Sequence, residues 1–210
     1  MNFNRLVEFL SHRLSEPLPG LDPGKAMSAR LLNGESLDFR YKTPPRQGSV
    51  LILVYPDNGQ VRFPLIQRPE YIGVHSGQMA LPGGKREPNE DEIQTALRET
   101  EEEIGVPMAD IKVLGRLTSF FVFASNFQIQ PVVAMAPKKP TFIPQEEEVA
   151  EIVSADVRHL LDDAYVKEKV IEARADVKLR APYFDLEGKM VWGATAMMLA
   201  EFKAILQGYD

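Results

Sequence analysis

Three glutamates carry the first chemical signal in this chain. Glu99, Glu102 and Glu103 are spaced i, i+3, i+4, so on a helix their carboxylates share one side. They fall near the end of that helix, where the macrodipole is negative. Each acid there costs about 0.3–1 kcal/mol, and each like-charge pair adds roughly 0.2–0.5 kcal/mol. A hard dication such as Mg²⁺ or Mn²⁺ reverses the sign of both costs, because carboxylate oxygen suits it. Arg98, beside the cluster, has the planar fork needed to hold one carboxylate by a bidentate pair. A run of acids such as residues 101–103 is, by itself, a common solvated helix face. Here it follows Pro82-Gly83-Gly84, where the lack of side chains lets backbone approach a ligand, and it is backed by an apolar stripe.

That stripe predicts the positioning helix. Ile93, Ala96, Leu97, Thr100 and Ile104 recur at three- and four-residue steps over 90–104. Asn89 is the expected N-cap, with Glu92 three residues on for a capping box, and Gly105 the expected left-handed stop. Strands are expected at 49–55 and 61–67 around an Asp57-Asn58-Gly59 turn, with a short one at 76–81. Longer strands are expected at 111–123 and 127–134, joined by a turn at Ala124-Ser125-Asn126. A short helix near 155–162, a strand at 183–186, a Glu187-Gly188 turn and a final helix over 192–206 complete the reading, with 165–177 left open. Phe3, Leu6, Val7, Leu10 and Leu14 predict an N-terminal helix packed on the domain, followed by a Pro- and Gly-rich loop at 17–24. Strands mixed with helices in this way predict an α/β fold with a mixed sheet between helices.

Composition excludes several classes. The 210 residues, 44% of them hydrophobic, suffice for one buried core with trimmings. Without cysteine there is no disulfide, thiolate zinc site or thiol nucleophile. No run approaches the roughly 18–20 apolar residues of a membrane span, and Glu8 makes the amphipathic start unlike a secretory signal. Cytoplasm is the default expectation, with no membrane partner. A net charge of −6 argues against nucleic acid, whose backbone requires clustered cations. A small phosphate-rich ligand needs only a few.

The spacing also supports a resemblance. Gly84, Glu90, then Arg98-Glu99-Thr100-Glu101-Glu102-Glu103-Ile104-Gly105-Val106 resembles the Nudix box, GX5EX7REUXEEXGU with U aliphatic, Thr100 standing at one aliphatic position. The resemblance implies an α/β/α sandwich over 31–210, with residues 1–30 packed on it. It also implies hydrolysis of a nucleoside diphosphate linked to another moiety, with divalent metal on the box helix. Upstream, Leu65-Ile66-Gln67-Arg68, His75-Ser76-Gly77 and Leu81-Pro82-Gly83-Gly84 are similar to the extra signature of coenzyme A pyrophosphatases in that superfamily. Ile66, Pro69, Gly73 and Leu81 depart from it. Trp192-Gly193-Ala194-Thr195 looks like the same subfamily's W-G-x-T segment.

On this resemblance Glu99, Glu102 and Glu103 are the expected ligands of Mg²⁺ or Mn²⁺. Arg98 orients them and Glu90 plays an orienting role. The general base is left between Glu102 and an acid of the Gln145-Glu146-Glu147-Glu148 loop, represented by Glu147. Arg68, His75, Gly83 and Gly84 are the expected substrate contacts, with Arg68 assigned to a phosphate, the 3′-phosphate of coenzyme A included. His75 reads equally as a loop histidine bonded to backbone, and Trp192 as core packing. The expected reaction converts coenzyme A, or an acyl derivative, to 3′,5′-ADP and 4′-phosphopantetheine. The alternatives are a Nudix enzyme for ADP-ribose or NADH, and a non-catalytic binding module. Nudix proteins are often dimers, so a homodimer stays open.

Overall fold

The computed structural model describes residues 1–32, 41–70, 75–174 and 177–209. The first elements are helices α1 (Phe3–Arg13) and α2 (Asp22–Lys25) and strands β1 (Arg30–Leu31), β2 (Arg46–Asp57), β3 (Gln60–Gln67), β4 (Met79–Ala80) and β5 (Gly83–Lys85). Next come α3 (Glu92–Ile104), β6 (Lys112–Arg116), β7 (Phe120–Val122), β8 (Phe127–Met135), β9 (Glu151–Asp156) and α4 (Val157–Leu161). The chain closes with β10 (Val166–Arg174), β11 (Val177–Leu186), β12 (Lys189–Trp192) and α5 (Gly193–Leu206).

Strand β2 is the spine. It runs parallel to β8, from Arg46 beside Phe127 to Val54 beside Met135. It runs antiparallel to β5 at one end and to β3 at the other. β6 and β7 pair with β8, while β4 and β9 pair with β3, giving a mixed sheet. Its side chains alternate between two cores. Val50, Ile52 and Val54 pack with Leu6 and Leu10 of α1 and Leu199 and Phe202 of α5. Leu51, Leu53 and Tyr55 pack with Ala96 and Ile104 of α3. Helices therefore flank both faces, as the α/β/α reading expects. Fully burying Leu6 and Leu10 contributes roughly 1.5–3 kcal/mol each, which holds α1 on the sheet.

Several boundaries differ from expectation. The cap of α3 is Asp91, not Asn89: its carboxylate accepts from the Gln94 N–H at 2.8 Å, and Gln94 Oε1 accepts from the Asp91 N–H at 2.8 Å. Asn89 instead takes a left-handed turn at φ 71°, and Gly105 ends the helix at φ 70° as expected. The strand expected at 76–81 shrinks to β4. The one expected at 111–123 breaks into β6 and β7 because the Glu201 carboxylate accepts from the Thr118 N–H at 3.0 Å and from its hydroxyl at 2.6 Å. That N–H is then lost to any ladder. The open segment 165–177 contains β10, whose alternating Lys and Glu hide its period. Its register is set by β11, from Val166 beside Phe184 onward. The smaller sheet of β1, β10, β11 and β12 continues into α5.

Candidate active site

The box helix and the glycine strand meet across β2. β5 pairs with β2 so that Gly83 faces Val50 and Gly84 faces Ser49. At Gly83 (φ 147°) an added Cβ would collide with the Ser49 carbonyl. At Gly84 it would lie 2.5–2.6 Å from the Glu99 carboxylate atoms. Both positions therefore require glycine, and the reason at Gly84 is an acid held against bare backbone.

Arg98 organises the acids. Its Nε donates to Glu90 Oε1 at 2.6 Å and its Nη2 to Glu90 Oε2 at 3.1 Å, a bidentate pair. The same guanidinium reaches Glu99 Oε1 at 3.0 Å and Glu102 Oε2 at 2.7 Å. Glu90 also accepts from the Glu87 N–H at 3.1 Å and from the Thr95 hydroxyl at 2.9 Å. Arg98 above all, with these donors, lowers the Glu90 carboxyl to about 2. Glu90 is therefore a permanent anion that holds Arg98 in place.

Glu103 is the unusual member. It is 3% exposed, and its Oε2 accepts from the Gly83 N–H at 2.7 Å. Burial raises its carboxyl to about 8, opposed by that N–H and by Arg68, and reinforced by Glu99 and Glu148. Burial also raises Glu99, against the pull of Arg98, with Glu102 and Glu148 adding to the rise. Glu102 is exposed at the Arg98 end. Burial and neighbouring like charges both disfavour the ionised form of such acids.

The 145–148 loop docks on the helix end. The Gln145 N–H donates to the Glu103 carbonyl at 2.9 Å, and Gln145 Oε1 accepts from the Glu147 N–H at 2.5 Å. Glu147 is exposed. The loop acid whose charge acts on both Glu99 and Glu103 is Glu148, one residue further on. Sequence reasoning also passed over Ser49, whose buried Oγ has no hydrogen-bond partner among the described residues. It shares the α3-facing side of β2 with Leu51 and pairs with Gly84. No sequence signal marked it, since a small polar residue in an apolar run reads as strand.

These observations bear on a metal. The donors are all carboxylate oxygen, set at a glycine cradle beside an orphaned hydroxyl, which suits Mg²⁺ or Mn²⁺. Among the described residues no three His, Asp or Glu side chains are gathered closely enough to hold an ion as they stand. Arg98 takes the ends of Glu99 and Glu102, and Gly83 takes Glu103.

On the other face of β2 lies a cleft of about 330 Å³. Arg68, His75, Gly83, Gly84 and Lys85 line it, with Phe127, Ile129 and Met198 among its apolar walls. The Arg68 N–H donates to the Gln78 carbonyl at 3.0 Å. His75 sits at φ 71°, its Nδ1 3.0 Å from Gln78 Oε1, so its partner is a side chain rather than the backbone. Burial lowers its pKa, which favours the neutral ring. Ala194 and Thr195 also line the cleft, and the Thr195 hydroxyl donates to the Met79 carbonyl at 3.3 Å. Trp192 ends β12 opposite Tyr183 and is not part of the lining. Gly73 lies outside the described residues.

An acidic helix braced by arginine is thus set against a glycine strand and backed by a cleft that carries Arg68 and Lys85, all on an α/β sandwich. The NUDIX domain model matches residues 45–175, and the chain belongs to the Nudix family. It is 35% identical over 136 residues to the uncharacterized Nudix hydrolase NudL of Yersinia enterocolitica, covering 64% of this chain and 69% of that protein. NudL of Yersinia pestis is 32% identical, with 64% and 67% covered. Two solved structures share the fold. RenU, a Nudix hydrolase of M. smegmatis, superposes with a TM-score of 0.53 at 18% identity, covering 87% of this chain and 95% of that one. The MutT protein of Methanosarcina mazei Go1 gives 0.51 at 17% identity, with 80% and 99% covered. Family membership carries the general activity, pyrophosphohydrolysis of a nucleoside diphosphate linked to another moiety, and a divalent-metal mechanism. Among the described residues no helix is long and apolar enough to cross a membrane.

Proposed function

We propose that the protein is a coenzyme A pyrophosphatase, releasing 3′,5′-ADP and 4′-phosphopantetheine or its acyl form. The observation that carries this reading is a convergence. Arg68 and His75 from the upstream motif, Gly83 and Gly84 from the box loop, and Ala194 and Thr195 from the C-terminal segment line one cleft. All are positions of the subfamily resemblance, and more than 100 residues of chain separate the first from the last. The apolar walls of the cleft suit an uncharged arm beside the phosphates.

Glu99, Glu102 and Glu103 would hold Mg²⁺ or Mn²⁺, which when bound acidifies water and neutralises phosphate charge. Arg98 keeps Glu99 and Glu102 oriented, and Glu90 keeps Arg98 in place. Gly83 and Gly84 let the phosphates approach bare backbone. Arg68 offsets negative charge beside Glu103. His75, neutral and held by Gln78, acts as a hydrogen-bonding contact rather than a cation. The base is Glu102 or an acid of the 145–148 loop. There Glu148, rather than the Glu147 expected from sequence, is coupled to the buried acids.

The test is product analysis with coenzyme A, ADP-ribose and NADH, each with Mg²⁺, Mn²⁺ or EDTA. Metal-dependent 3′,5′-ADP formed preferentially from coenzyme A is the expected result. Preferential cleavage of ADP-ribose or NADH would overturn the substrate and keep the chemistry.

A further inference from the structure

We propose that Lys85 and Arg46 form a second anion subsite at the mouth of the cleft, which receives a phosphate monoester of the substrate remote from the bond that is cut. The inference deepens the reading above and rests on it for the identity of the substrate.

The placement follows from register. Gly48 of β2 lies opposite Lys85 of β5, and Val50 lies opposite Gly83. Val50, Gly83 and Lys85 all line the cleft, and strand alternation puts Arg46 and Gly48 on the same side of β2 as Val50. Arg46 pairs in register with Phe127. Its guanidinium lies 4.1 Å from the Phe127 ring centroid, and its Nη2 donates to the Ser125 carbonyl at 2.9 Å. Phe127 and Ser125 are both cleft-lining residues. Ring and carbonyl fix the guanidinium while leaving most of its donors free, since it carries five N–H groups.

Gly48 lies between the two cations along this face. A Cβ there would come within 2.5 Å of the Gly84 carbonyl and 3.0 Å of the Ile129 side chain, so no side chain separates Lys85 from Arg46.

Charge balance then points to an anion. Neighbouring cations are neutralised: Arg86 pairs with Glu92 at 3.2 Å, and Arg98 with three glutamates. Among the described residues neither Lys85 nor Arg46 has a carboxylate within ion-pair distance. Among the described residues the cleft lining contains Arg68, His75 and Lys85 but no Asp or Glu, in a chain whose net charge is −6. Arg68 is engaged elsewhere, its charge acting on Glu103 at the reaction end. It is therefore less suited to a remote phosphate than the Lys85–Arg46 pair. A monoester carrying close to two negative charges would relieve the repulsion between two unpaired cations.

The experiment measures binding of adenosine 3′,5′-bisphosphate and of 5′-AMP by calorimetry, in the wild type and in Lys85→Gln and Arg46→Gln. The wild type is expected to favour the bisphosphate by about tenfold, the scale of one charge-assisted hydrogen bond. Each variant should erase most of that ratio. A purely structural role for Arg46, through Ser125, would weaken both nucleotides alike and leave the ratio intact. An unaltered ratio in both variants, or a wild type that does not discriminate, overturns the proposal. The result stands apart from the substrate question. Discrimination in a protein that does not cleave coenzyme A would retain the subsite and discard the proposed reaction.

Discussion

On one face of β2, three acids crowd around a single arginine, and a fourth, Glu103, is buried against the Gly83 N–H. On the other face, the cleft is lined by cations, apolar side chains and a few neutral polar ones, with no acid among the described residues. The first arrangement is destabilising without a cation, and the second offers charge without a partner. One strand thus separates a side built to hold positive charge from a side built to hold negative charge, and Gly83 and Gly84 let the two communicate. A pyrophosphate bridged to a dication needs both.

The acidic face should give the largest effects. Glu103→Gln is expected to lower kcat by about a thousandfold, because metal-type stabilisation amounts to several kcal/mol at tenfold per roughly 1.36 kcal/mol. The same variant should stabilise the metal-free protein. A carboxyl raised from 4.5 to about 8 on folding destabilises the native state progressively as pH climbs through that window. Thermal unfolding in EDTA should therefore show stability falling from pH 4.5 toward pH 8, and Glu103→Gln should flatten that slope. A variant that loses activity and stability together would break the contrast between the faces.

Gly84→Ala comes next. Its Cβ would displace the Glu99 carboxylate, and a misplacement near 1 Å costs on the order of 10²-fold in rate. Steady-state kcat at saturating substrate measures it. Arg98→Lys keeps the charge but loses the fork that holds Glu90 bidentately while touching Glu99 and Glu102. It should cost roughly 10–100-fold in metal affinity or rate, read as a raised Mn²⁺ requirement. On the cleft face, Ala194→Leu should mainly raise KM, by about tenfold, with kcat little changed. A kcat loss equal to the KM effect would show that the two faces are not separable.

Legibility followed the same division. The Glu99–Glu102–Glu103 spacing, Arg98 beside it and the Gly105 stop lie within one helix, and the reading of these as a helix with a shared acidic side needs only its period. The cap was misplaced by two residues because Asn89 and Asp91 are both good capping types. What decided between them was the use of Glu90 by Arg98, Thr95 and the Glu87 N–H. The break at Thr118 was invisible because its partner, Glu201, lies on the last helix. Strand β9 and the edge of β10 were obscured by charged residues whose strand state depends on the neighbours they pair with.

The sequence by itself determined the acid spacing, the glycine loop, the apolar stripe that anchors the box helix, and the family that follows from them. These are local matters of periodicity and steric freedom. Only the tertiary structure decided that Arg46, Lys85, Phe127 and Thr195 share a neighbourhood, that the charge of Glu148 reaches Glu99 and Glu103, and that Ser49 faces the box helix with no hydrogen-bond partner among the described residues. Those facts depend on strand register across β2, β5 and β8 and on where α5 docks. Register is a long-range choice made by the two cores together, and no short window of residues contains it.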